Sequence, residues 1–199
     1  MKLNPNGVVP TLDHDGKIVT ESNIIIEYLD DTFPQTPLKP DDTYQTAIMR
    51  LWLDAAELQI HKNVNIVSYN KRHVPRMSKL FSKDEQREIL MRYPSPEKRA
   101  VMLNRLEFGV SGEDELFAIQ RLNDVMKKIE KTLNDNKWLA GDKFSLADIA
   151  VAPFIERFEA NKMETLIDWD KRPRTADWWD RVQSRESYKT TYAFQNPDT

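Results

Sequence analysis

Three prolines stand within the seven residues Pro34-Gln35-Thr36-Pro37-Leu38-Lys39-Pro40, and that run divides the chain into two dissimilar parts. Proline removes a backbone donor and fixes φ, so a stretch this dense in it continues neither helix nor strand and reads as a linker over 34–41. Short alternating segments and a single helical repeat precede it. Beyond it, apolar residues recur at spacings of three and four. The expected architecture is a small α+β piece at 1–33 followed by an all-helical piece at 42–199.

In the helical part, Asp42 is placed to cap a helix from Thr43, and Ile48, Leu51, Trp52, Ala55, Leu58 and Val64 form an apolar stripe that predicts one long amphipathic helix to about Tyr69. A second long helix is predicted from Gly112 to about Leu133, opened by Ser111 and Asp114 and carrying Leu116, Ile119, Leu122, Met126, Ile129 and Leu133. Two such helices form the core of a bundle. Between them lies an insertion at about 72–110, in which Ser82-Lys83-Asp84-Glu85 and Ser95-Pro96-Glu97 each read as helix starts. Further on, Ser145 and Asp148 have capping-box spacing, with Asp where Glu or Gln is more usual. Trp52, Trp138, Trp178 and Trp179 are expected in packing positions.

In the first 33 residues, Thr11 to His14 and Lys17 to Thr20 read as two strands joined by the tight turn Asp15-Gly16. Pro10 belongs at a strand start, and the Val9-Pro10 bond can be cis at modest cost. Val9 would then offer its N–H and C=O to an extended, peptide-like ligand. At the end of the second strand stand Glu21 and Ser22, before a helix carrying Ile24, Ile25, Tyr28 and Leu29. Ser22 is expected as its N-cap. A helix start attracts a carboxylate and a neighbouring Glu holds an ammonium group, so the pair suits the two charged ends of an amino acid.

A proline-led hairpin followed by Glu-Ser at a helix start resembles the glutathione site of the cytosolic glutathione transferases, and Asn4, Pro5 and Gly7 match the loop that precedes it. The resemblance implies that glutathione is the bound cofactor. Val9 beside a cis Pro10 would pair with its cysteinyl part, and Glu21 and Ser22 would hold its γ-glutamyl end. It also implies a thioredoxin-like remnant (hairpin plus helix) followed by the all-α C-terminal bundle of that family. The run Gly141-Asp142-Lys143-Phe144-Ser145-Leu146-Ala147-Asp148 resembles the cap used for folding in the family's second domain, so Ser145 and Asp148 are assigned no chemistry. The insertion, with the loop His14-Asp15-Gly16-Lys17, is similar to that of bacterial glutathione-dependent β-etherases.

The family's activating Ser, Tyr or Cys lies on a first strand–helix–strand unit, which takes roughly 30 residues. Only nine residues precede Pro10. No residue matches the activating position, so no catalytic residue is assigned, and a segment upstream of Met1 or another chain is expected to supply it. Two functions stay open: a transferase that attacks a hydrophobic electrophile with the glutathione thiolate, aryl-ether cleavage included, and a non-catalytic binding or interaction module. The resemblance implies an acceptor pocket, for which Tyr69 and His61 are the candidates, and a homodimer.

Composition narrows the rest. A net charge of −3 gives no pull towards nucleic acid. The absence of cysteine removes disulfides and thiolate chemistry from this chain, and its three histidines lie too far apart in sequence to suggest a metal site. No apolar run is long enough to span a bilayer and no signal peptide is evident, so the cytoplasm is the expected compartment.

Overall fold

The computed structural model describes residues 3–163 and 165–193. Strands β1 (Thr11–His14) and β2 (Lys17–Thr20) form an antiparallel hairpin in which Thr11 faces Thr20 and His14 faces Lys17. Asp15 and Gly16 both have positive φ, 52° and 78°, the signs of a type I′ turn that matches strand twist. Asp13 Oδ1 accepts the Gly16 N–H at 2.8 Å and closes the turn. Helix α1 (Ser22–Thr32) packs on this hairpin through buried Ile25 and through a 2.8 Å hydrogen bond between His14 Nδ1 and the Tyr28 hydroxyl.

The expected helix 43–69 is helical throughout but is neither uniform nor finished at Tyr69. Helix α2 (Thr43–Ala55), with Asp42 accepting from Gln45 N, leads into a π-helical segment at Ala56–His61, then α3 (Lys62–Ser68), a second π segment at Tyr69–His73, and α4 (Val74–Leu80). Each π turn takes up one extra residue, which rotates everything downstream by about 100° relative to an unbroken α-helix. The stripe also differs from the expected one. Leu51 and Leu58 are exposed, while Met49, Trp52, Leu53, Ala56 and Ile60 are buried. The sequence carries two overlapping apolar stripes, and the one containing Met49 is the one that packs.

The insertion is helical, as its two start signals require. Helix α5 (Lys83–Met91) opens on a complete capping box between Ser82 and Glu85, and α6 (Pro96–Phe108) begins with Pro96 directly after the Ser95 cap. Helix α7 spans Gly112–Asp135. There Ala118, Leu122, Met126, Ile129 and Leu133 are buried while Leu116 is exposed, so the packed stripe starts two residues later than expected. After it come α8 (Leu146–Ala160), a 3-10 turn (Trp169–Lys171), α9 (Pro173–Gln183) and α10 (Glu186–Tyr192).

By internal contacts the chain divides into two compact units, Met1–Pro37 with His61–Arg121, and Leu38–Ile60 with Leu122–Thr199. In the second, α2 packs on α8 and the four expected tryptophans are buried. Within it Asp148 has no solvent exposure. Asp148 Oδ1 accepts from Leu139 N at 3.1 Å and Trp178 Nε1 at 2.8 Å, and Oδ2 accepts from Ser145 N at 2.9 Å and Ser145 Oγ at 3.2 Å. One carboxylate thus fixes a loop, a helix start and a tryptophan from the following helix. Helix α9 has no cap of its own; Glu130 on α7 accepts from Arg174 N, Thr175 N and Thr175 Oγ1 instead.

Candidate functional site

The antiparallel register decides where the site candidates lie. With Thr11 opposite Thr20, residues just before β1 and just after β2 emerge at the same end of the hairpin, so Val9-Pro10 and Glu21-Ser22 are brought together there. The Val9-Pro10 peptide bond is cis. Val9 is 91% exposed and makes no hydrogen bond to another described residue.

The loop leading into Pro10 is organised by a single buried side chain. Asn4 Nδ2 donates to Val8 O at 2.9 Å and to Thr11 Oγ1 at 3.3 Å, and Asn4 Oδ1 accepts from Asn6 N at 2.9 Å. Gly7 N donates to Asn4 O, and Gly7 adopts φ 64°, a conformation that favours glycine. The carbonyl of Val8 is therefore committed inward while the main chain of Val9 is left to solvent. The pattern Asn-Pro-Asn-Gly signals this turn, because an Asn side chain readily bonds the backbone two residues on. Its role in holding Val8 was not legible, since the partner Thr11 lies in the next element.

Glu21 and Ser22 are both exposed. Glu21, not Ser22, occupies the N-cap position of α1, and no side chain caps that helix. The expected cap role of Ser22 is therefore corrected: Ser22 is the first helical residue. The cause is the backbone of Glu21, which at φ 69° and ψ 117° turns the chain from β2 straight into the helix one residue early. Positive φ is costly for a residue with a side chain, of order 1–3 kcal/mol, and such residues concentrate at functional sites. The result is a helix start without a protein cap, a free hydroxyl on its first residue, and an unshielded carboxylate beside it.

Tyr69 and His61 flank the stretch of helix between the two π segments. Tyr69 is 5% exposed; its ring stacks on His73 at 5.0 Å, and the Arg105 guanidinium lies over it at 5.7 Å. Burial pushes the Tyr69 hydroxyl pKa up, against the opposing charge of Arg105. His61 is half-buried at the end of the first π segment. A hollow of about 450 Å³ lies between α3 and α6, lined by Ile66, Val101, Arg105 and Val110 among others; Tyr69 is not in its lining, and Arg105 lies over the Tyr69 ring. No cluster of metal-binding side chains occurs among the described residues, and none of their helices is long and apolar enough to cross a membrane.

Residues 1–37 match the family model described as "Glutathione S-transferase, N-terminal domain", and residues 98–186 match "Glutathione S-transferase, C-terminal domain". Protein LigF of Sphingobium sp. (strain NBRC 103272 / SYK-6) is 30% identical over 198 residues, covering 96% of this chain and 76% of that protein. A probable glutathione S-transferase of Nicotiana tabacum is 29% identical over 175 residues, covering 86% of this chain and 60% of the relative. Among solved structures, the beta-etherase LigF from Sphingobium sp. strain SYK-6 superposes with a TM-score of 0.88 at 28% identity, over 96% of this chain and 80% of that one. A hairpin and helix that form part of a thioredoxin-like domain, followed by the helical C-terminal domain, match the family's architecture, and the chain belongs to the glutathione S-transferase family.

Proposed function

We propose that this protein is a glutathione transferase that binds glutathione at the open end of the hairpin and directs its thiolate at a hydrophobic electrophile. The observation that carries the reading is the juxtaposition, in one register, of a solvent-facing Val9 main chain beside a cis Pro10 with an uncapped helix start bearing Glu21 and Ser22. Val9 N–H and C=O pair with the cysteinyl residue as an added strand would. The first turn of α1 and the Ser22 hydroxyl take the γ-glutamyl carboxylate, and Glu21 takes the ammonium group.

On this reading residues 1–33 act as the glutathione-binding domain, 34–41 as a linker, and 42–199 as the domain that supplies the acceptor pocket with Tyr69 and His61. A thiol with an ordinary pKa of about 8.5 needs a donor or a helix-end field to become a thiolate at neutral pH, and no residue of this chain is assigned that task. The likeness to a protein described as a beta-etherase supports an aryl ether as the acceptor, with glutathione displacing a phenolate. A homodimer working in the cytoplasm accompanies the reading.

Calorimetry with glutathione tests it. Glu21→Ala and Ser22→Ala are each expected to weaken binding by about 1–3 kcal/mol, the range for a charge-assisted hydrogen bond. Unchanged affinity in both variants removes the site. Binding without glutathione-dependent release of phenol from an aryl ether favours a non-catalytic module over the etherase.

A further inference from the structure

The hollow between α3 and α6 holds an arginine that the protein itself leaves without a counter-ion. The Arg105 guanidinium rests over the buried Tyr69 ring and makes no hydrogen bond or ion pair with any described residue. Of the nearby acidic side chains, two are ion-paired with other cations, and the third, Asp114, lines the same hollow without pairing with Arg105. Glu107 is shared by Lys83 at 3.1 Å and Arg87 at 3.2 Å, Glu115 is held by Lys71 at 2.7 Å, and Asp114 accepts the Ser111 hydroxyl at 2.8 Å. Arg105 thus lines the hollow with donors that no described residue claims, on a group whose planar fork matches a carboxylate and whose flat face stacks on rings.

Around it the lining is mixed: Ile66 from α3, Ala100 and Val101 from α6, and Val110 from the loop after α6 form an apolar side, and the exposed Asn104 and Asp114 a polar rim. At about 450 Å³ the space falls in the range of small-molecule sites. One wall is fixed in place. The Asn70 side chain, presented by the second π segment, donates to Val110 O at 2.7 Å and accepts from Val110 N at 3.0 Å. Gly109 has φ 73°, and a Cβ there would stand 3.0 Å from Asn70 Oδ1, so the loop is held closely against that amide. A wall already ordered lowers the cost of binding.

We propose that this hollow binds a small aromatic carboxylate, its carboxylate on Arg105 and its ring against Ile66, Ala100, Val101 and Val110. The charge is that of a monoanion. Among the described residues a single guanidinium is the only cation in the lining, and the Asp114 carboxylate at the same hollow opposes a dianion such as a phosphate monoester.

Titration with 2-naphthoate, followed by its fluorescence and by calorimetry, tests the site without any use of glutathione. The protein is expected to bind one equivalent with a dissociation constant below about 1 mM, and 2-naphthalenemethanol, which has the same ring system without the charge, at least tenfold more weakly. Arg105→Met keeps an apolar stem over Tyr69 and is expected to weaken naphthoate about tenfold or more while leaving the alcohol within about twofold. Val101→Glu places a carboxylate one turn before Arg105, at a position half open to solvent, and is expected to displace naphthoate by occupying the guanidinium. Glu21→Ala and Ser22→Ala are expected to leave naphthoate affinity unchanged, which separates this site from the glutathione site. Equal affinity for acid and alcohol, no saturable binding, or naphthoate affinity unchanged in both Arg105→Met and Val101→Glu would overturn the proposal.

Discussion

Replacing Asp148 with alanine removes the acceptor of four hydrogen bonds in a fully buried place. Three of the donors, the N–H groups of Leu139 and Ser145 and the Trp178 indole, have no rotation that would find another partner; the Ser145 hydroxyl can turn. Each stranded buried donor costs about 1–3 kcal/mol. Against this stands relief from holding a carboxylate out of water, the leading cause that pushes the Asp148 pKa up. The net expectation is a loss of about 3–5 kcal/mol, a large share of a typical domain stability of about 5–15 kcal/mol. Asp148→Asn separates the two oxygens. Its Oδ1 keeps Leu139 and Trp178, while Nδ2 meets the Ser145 N–H donor to donor, so a smaller loss of about 2 kcal/mol is expected. Urea unfolding read by tryptophan fluorescence measures both, because the Trp178 indole is itself one of the donors. A loss below about 1 kcal/mol in the alanine variant, or an asparagine variant weaker than the alanine one, refutes this account.

Gly141 has φ 130°, and a Cβ there would stand 2.8 Å from Gln45 Nε2, so Gly141→Ala is expected to lower stability by about 1–3 kcal/mol, with Gln45→Ala restoring only the steric part in a double-mutant cycle. Burial and the neighbouring Arg76 hold the His73 pKa below its ordinary 6.5. Between the lowered native value and 6.5 the unfolded chain binds the proton and the native one does not, so stability is expected to fall as pH drops below about 6.5. His73→Phe keeps a ring against Tyr69 and is expected to flatten that part of the pH–stability curve; an unchanged slope refutes the assignment.

Local signals carried much of the fold into the sequence. Asp15-Gly16, the Ser82–Glu85 and Ser145–Asp148 boxes and Pro96 each act within four residues, and each element they announce is present. What escaped reading depends on groups far apart in the chain or on subtle changes of helical phase. Glu130 caps a helix more than forty residues away, and Asn70 grips Val110 across a comparable span. Leu51 and Leu58, expected in the packed stripe, are exposed because an overlapping apolar stripe containing Met49 packs instead, and the two π segments leave no composition mark. At the candidate site, the order proline, hairpin and Glu-Ser was legible because register follows from a two-residue turn. That Glu21 and not Ser22 would stand at the helix cap was not legible, since a positive φ at a glutamate runs against local preference.

On the proposed glutathione reading, that glutamate sets stability and ligand affinity against each other at one position. Glycine at residue 21 removes the Cβ clash that its positive φ imposes, so a thermal screen of variants is expected to enrich Glu21→Gly on heat tolerance alone, by about 1 kcal/mol. A companion screen for glutathione retention would reject the same exchange, because the carboxylate disappears with the strain. Libraries for hardening this protein therefore need residue 21 held fixed, or they will select a sturdier protein without the carboxylate proposed to hold an ammonium group.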